Sequence, residues 1–188
     1  MAPAQVRRVL TSHSEDGKAI FSHDEELTLV NPVTKKPPTE GKDDGSVSGA
    51  YMALIHRTTG YPPTNQGADD ELDVSNLQRS KGGVFGGTIC EVVELPPMKE
   101  TDKLGMHRNQ SIDYGVILKG SVTLVLDDGV EKTLREGDVY VQRGTMHAWK
   151  NLSGETCRFL TVIIPAESVK VATTGEYLQA SKLPGLTD

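Results

Sequence analysis

From Val84 onward the chain carries a series of apolar stretches, VFGGTICEVVEL, YGVIL, VTLVL, VYVQ, HAWKN and RFLTVII, with little between them. What separates them is turn chemistry: KGS at 119–121, DDG at 127–129, EGD at 136–138, RGT at 143–145 and SGE at 153–155. Punctuation at intervals of about 8 to 12 residues leaves each stretch too short for a packed helix and suits strands joined by tight turns. Residues 84–165 therefore read as an antiparallel meander or jelly-roll barrel, and the chain as all-β.

The flanks are less regular. VRRVLTSHSEDGKAIFSHDEELTLVNP offers two short apolar stretches, AIF and LTLV, read as edge strands. A Pro-, Gly- and charge-rich loop over 32–49 precedes AYMALIHRT, another strand. Residues 58–83 form a long connection with one short helical turn near DELDVSNL; loops of that length inside a domain are commonly functional, so this one is a candidate lid. The polar tail 166–188 is expected to hold a short helix around GEYLQA and to pack outside the barrel or on a partner subunit. With 188 residues, a single core is expected, so 1–83 is an extension of the same domain.

Composition narrows the partners. The formal net charge is -6 and no basic cluster exceeds two adjacent residues, which argues against nucleic acid and anionic membranes. The N-terminus MAPAQVRRVL has no apolar signal region and no run of about 18 apolar residues occurs, so a soluble, cytoplasmic protein is expected. Cys90 and Cys157 sit in apolar runs without CxxC spacing and read as reduced, buried thiols.

Strand parity selects the chemistry-bearing positions. His107, Asn109 and Asp113 share one parity, as do His147 and Trp149, so one choice of face would gather all five. Tyr140 and Gln142 share parity opposite to Val139 and Val141; one pair lines the interior, and parity alone leaves open which. Trp149 either walls a pocket or fills core. His13, His23 and His56 read as surface or strand-packing residues, with His56 the one whose direction matters most. The DDELD run at 69–73 reads as a solvated helix start and Asp127, Asp128 and Gly129 as a hairpin turn.

Two blocks of this series resemble the motifs of the cupin family. The first family motif is Gly, five residues, His-x-His, three or four residues, Glu, six residues, Gly. Here His107, Asn109, Asp113 and Gly120 keep that frame, with Asn for the second His, Asp for Glu, and Thr101 where the leading Gly belongs. The second family motif is Gly, five residues, Pro-x-Gly, two residues, His, three residues, Asn. Gly137, Gly144, His147 and Asn151 follow it with one residue fewer and no proline. IDYGVILKG and GDVYVQRGTMHAWKN are similar to the small single-domain cupins of bacteria and of fungal secondary-metabolism clusters.

The resemblance implies a cupin barrel, a homodimer paired through the N-terminal extension, and a divalent metal (Zn, Fe, Mn or Ni) on His107, Asp113 and His147, with Asn109 adding at most a weak neutral oxygen. No organic cofactor is expected. Without a metal the same residues make an acid–base pocket in which Asp113 orients a histidine. Asn109, Tyr140, Gln142 and Trp149 are then the candidates for contact with a small-molecule substrate. The expected activity is that of a lyase, a dehydratase or decarboxylase of an oxygenated carbonyl or polyketide-like compound. A metal-dependent dioxygenase and a binding protein without catalysis are the alternatives.

Overall fold

A computed structural model describes residues 5–38, 49–60, 62–65 and 87–181. Within them the chain forms ten strands and, apart from a single 3-10 turn at Asp127–Gly129, no helix. The strands are β1 (Gln5–His13), β2 (Ala19–Thr28), β3 (Tyr51–Arg57), β4 (Ile89–Leu95), β5 (Ser111–Lys119), β6 (Ser121–Leu126), β7 (Glu131–Arg135), β8 (Val139–Arg143), β9 (His147–Lys150) and β10 (Cys157–Pro165). A five-stranded sheet in the order β3-β4-β10-β5-β8 and a three-stranded sheet in the order β7-β6-β9 make up the jelly-roll barrel. The antiparallel hairpin β1-β2 forms a third, separate sheet.

The six stretches of 84–165 become β4, β5, β6, β8, β9 and β10. The seventh strand of that region, β7, has the sequence EKTLR and escapes a hydrophobicity reading because it is an exposed edge, paired on one side only with β6. AIF and LTLV are not two strands. AIF and the first half of LTLV are the two ends of the continuous β2, which pairs along its length with QVRRVLTSH, while Val30 bridges Met52 of β3.

The expected helix at GEYLQA is absent as well. A turn over Val171–Gly175, closed by Gly175 N–H on Val171 O, and a bridge between Lys170 and Tyr177 hold the segment extended. Gly175 sits at φ +74, outside the helical region, and the β-branched Thr173 and Thr174 before it add little helix preference. The helical turn near DELDVSNL and the lid expectation fall largely on 66–86, outside the described residues.

Register builds the barrel interior in rungs, because cross-strand partners point to the same side of a sheet. Met52, Val93, Phe159 and Ile117 form an apolar rung. The next runs Leu54, Glu91, Thr161, Gly115 and Tyr140. Above it lie Ile89, Ile163, Asp113 and Gln142. The floor of the barrel is closed by Val93, Ile117, Val122, Cys157 and Phe159 with Tyr140 and Trp149. On the outside, Val6, Leu27 and Leu29 of the N-terminal part cover Tyr51, Ala53, Val92 and Leu160, and Arg8 of the hairpin reaches the Leu54 and Ile55 carbonyls.

Gly115 is required by close approach. A Cβ there would lie 2.2 Å from Cζ of Tyr140, whose ring crosses the gap that the glycine leaves. Gly115→Ala must push the ring out of place, and overpacking of this kind costs about 1 to 3 kcal/mol. A fall in melting temperature of roughly 3 to 10 °C is expected, read by thermal denaturation. An unchanged midpoint would mean that Tyr140 has another resting place.

Candidate functional site

The site is built on two histidines that the backbone brings together. A two-way bridge pairs His107 with His147, with N–H to O distances of 2.9 Å in both directions. The ring centroids are 4.2 Å apart. Both rings are buried, His147 to 2% exposure. Each is oriented by the carbonyl two residues before it: His107 Nδ1 stands 2.9 Å from Gly105 O and His147 Nδ1 3.0 Å from Thr145 O. A carbonyl only accepts, so each Nδ1 carries a proton and each Nε2 is the acceptor of its ring.

Gln142 completes this pair. Its Nε2 lies 2.8 Å from His147 Nε2 and 2.7 Å from His147 Nδ1. Because Nδ1 already donates to Thr145, only Nε2 can accept the amide hydrogen. The other end of the amide, Oε1, is buried and has no hydrogen-bond partner. Burial, and then the neighbouring His107, push His147 down from 6.5 to about 3, against a smaller upward pull from the Thr145 carbonyl. His147 is therefore neutral at ordinary pH, and at this ring separation a positive charge on one imidazole opposes a charge on the other.

Below the histidines lies a band of buried polar groups. Ser111 Oγ donates to Asp113 Oδ1 at 2.6 Å. Tyr140 is raised well above the usual phenol range, first by burial and then by Asp113 and Glu91, while a hydrogen bond with Thr161 opposes the shift. It is a neutral phenol throughout the working range. Tyr140 also packs edge-on to Trp149 at 5.1 Å and to Phe159 at 6.3 Å.

The inward pair on β8 is thus Tyr140 and Gln142, while Val139 and Val141 face out at 71% and 55% exposure. Trp149 belongs mainly to the core cluster, with its edge toward His147 at 6.2 Å. His56 is exposed. Cys90 and Cys157 are both free thiols. Asn151, the last residue of the second motif, is structural: its amide donates to Leu95 O and Glu155 O and accepts from Ser153.

Asn109 goes elsewhere. The irregular backbone between His107 and Ser111 breaks the period-2 alternation, and Asn109 lines a small cleft with Gly144, Glu167, Val169, Leu178 and Ala180. Hydrophobicity and motif reading both passed over Glu91, Ser111 and Thr161, which are buried at 4%, 2% and 6% exposure. The available signal was parity: Glu91 stands between Ile89 and Val93 on one face of ICEVVEL, an acid in an inward row.

A metal on His107, Asp113 and His147 does not fit this arrangement. Among the described residues no three His, Cys, Asp or Glu side chains gather as a cation site. Asn109 lines a separate cleft, and the Gln142 amide nitrogen crowds His147 Nε2 at 2.8 Å. The orienting partner of each imidazole Nδ1 is a backbone carbonyl rather than Asp113.

Comparison with known proteins agrees with this architecture. The Cupin_2 family model, described as a cupin domain, matches residues 91–163. Phomopsin biosynthesis cluster protein D of Diaporthe leptostromiformis is 31% identical over 183 residues, spanning 96% of this chain and 88% of its own. A cupin-domain-containing oxidoreductase of Neurospora crassa is 41% identical over 152 residues, 80% of this chain and 68% of its own. The solved polyketide cyclase RemF of Streptomyces resistomycificus aligns at 23% identity and a TM-score of 0.41 over 62% of this chain and 65% of its own. Two motif histidines bridged across the mouth of a jelly-roll barrel, the family model over that barrel and relatives matched over most of their length place the chain in the cupin superfamily.

Proposed function

We propose that the protein is a small-molecule lyase that works by acid–base chemistry on an oxygenated carbonyl or polyketide-like substrate, as a dehydratase or decarboxylase. The observation that carries this reading is the bridged imidazole pair, with both Nδ1 atoms tied to carbonyls and one ring held neutral. Such a pair can take one proton and return it, which is what elimination beside a carbonyl needs. His107 Nε2 removes the proton from the carbon next to the carbonyl. The C–H electrons form the enolate, the enolate collapses as the β C–O bond breaks, and the proton leaves with the hydroxyl as water. In decarboxylation His107 Nε2 first takes the acid proton of the substrate's carboxyl group; the C–C electrons then form the enolate, carbon dioxide departs, and the carbon takes that proton back from His107. Neutral Tyr140 supplies a hydrogen bond without adding charge, and neutral His147 leaves room for a charge on His107.

The test is exchange in deuterium oxide across a panel of β-hydroxy and β-keto carbonyl compounds, read by mass spectrometry. Solvent deuterium should enter next to the carbonyl, with loss of water or carbon dioxide, and His107→Ala should abolish both. Exchange that survives in His107→Ala, or a wild-type protein that neither exchanges nor eliminates, would sink the proposal.

A second reading follows the name of the Neurospora crassa relative, an oxidoreductase. Removing two electrons from an alcohol needs an acceptor such as a nicotinamide or dioxygen. Oxygen uptake or nicotinamide reduction on the same panel, with and without added divalent metal, separates it from the lyase. A protein that only binds its ligand gives neither signal.

A further inference from the structure

One buried group at the site is left over by the chemistry above. Gln142 is 5% exposed, and its carboxamide is split between two environments. The nitrogen is engaged with His147, and Oε1 meets no donor from any described residue. Reversing the amide gives no relief. It would set Oε1 against the lone pair of His147 Nε2, because the proton of that ring is committed to the Thr145 carbonyl. The orientation with Oε1 unpaired is therefore the one that the histidine imposes.

A buried acceptor without a donor costs about 1 to 3 kcal/mol, and such groups in native proteins call for an explanation. Gln142 is the cross-strand partner of Asp113 and points to the same inner face, on the rung that the histidines overlie. No described residue supplies the missing donor, so within the described wall Oε1 is left for a donor that a bound molecule brings.

We infer that Gln142 is a specificity residue with two tasks: its amide hydrogen fixes His147 as the Nδ1–H tautomer, and its Oε1 accepts a hydrogen bond from an O–H or N–H of the substrate. The substrate class is thereby narrowed to compounds with a hydrogen-bond donor at that point. A ligand presenting only acceptors, such as a ketone or an ether, leaves Oε1 unpaired in the complex too. This deepens the acid–base reading and rests on it for the location of the substrate, but neither of its tests requires turnover.

The first test is nitrogen-15 NMR of the histidine rings in the wild type, Gln142→Glu and Gln142→Met. The wild type should show His147 with its proton on Nδ1 and Nε2 accepting. Gln142→Met should lose the hydrogen-bond shift at Nε2, and in Gln142→Glu the carboxylate should draw a proton onto Nε2. A wild-type His147 protonated on Nε2 would overturn the tautomer task.

The second test uses phenol and anisole, which share a ring and differ in whether the oxygen carries a hydrogen. Phenol should bind the wild type about 10- to 100-fold more tightly than anisole. That preference should persist in Gln142→Glu, which keeps an acceptor, and vanish in Gln142→Met. Equal binding of the two probes to the wild type, binding of neither, or an unchanged preference in Gln142→Met would each overturn the acceptor task. If the probes behave as expected while His107→Ala leaves turnover untouched, it is the lyase reading that fails and not this one.

Discussion

His107→Ala should lower turnover by about two to four orders of magnitude, the usual worth of a positioned acid–base group, and do so with little loss of fold. The proton has to be taken by an atom that is an acceptor before it arrives and tolerates charge afterwards. His147 fails the second condition: burial holds it neutral down to about pH 3, and its Nε2 already accepts from Gln142. His107 has its Nδ1 proton anchored on Gly105 and presents Nε2 as the acceptor. The measurement is kcat/KM on whichever compound the exchange panel selects, beside a thermal melt of each variant. Added imidazole should return part of the lost rate to His107→Ala, because the missing group is a diffusible base. His56→Ala, at an exposed position of the otherwise buried β3, is the control and should be silent. Wild-type turnover in a folded His107→Ala protein would remove the acid–base mechanism altogether.

The barrel could be read from the chain because its strands alternate and its turns are chemically marked. Ile117, Phe159 and Ile163 are buried where period 2 puts them, and Gly120, Gly137, Gly144 and Gly154 occupy positive-φ positions at the turns. The N-terminal hairpin was harder, since the exposed β1 and β2 hold together through pairing and surface ion pairs such as Arg7 with Asp24, which leave no apolar period. At the site, motif spacing singled out His107 and His147, which the fold brings side by side. It could not place Asn109, because parity holds only while the backbone stays extended, and the step before Ser111 is irregular. Nor could it assign partners. Asp113 lies near the histidines in the motif and accepts a hydrogen bond from Ser111, while the side chain on His147 is Gln142 of β8, five residues earlier in the same motif. Such pairings depend on inter-strand register, which a single sequence specifies only through its turns.

Mild acid should destabilise the protein, and His147 should account for much of the loss. Its pKa in the folded chain is about 3, against 6.5 for a histidine in the open chain. Between those values the unfolded chain binds the proton and the folded chain does not, so unfolding becomes more favourable as pH falls. Above about pH 6.5 the histidine contributes no slope. Below it, stability drops by up to about 1.4 kcal/mol per pH unit, a loss of roughly 3 kcal/mol by pH 4.5 and on the order of 5 kcal/mol near pH 3. Against the 5 to 15 kcal/mol that typically holds a domain together, this is enough to matter. The exposed acids with lowered pKa values, Asp16, Asp24 and Glu25, lose their contributions only as pH falls toward and through the carboxylate range. In the interval from pH 6.5 to 4.5 these acids contribute little, and the difference between wild type and His147→Gln isolates the histidine. Urea unfolding of the wild type and His147→Gln across that interval measures the slope directly. The wild type should lose stability steadily, while the glutamine variant, which keeps a hydrogen-bonding side chain but cannot titrate, should stay nearly flat. Parallel curves would mean that His147 takes a proton in the folded state as readily as in the unfolded one, and the neutral partner on which His107 depends would be lost.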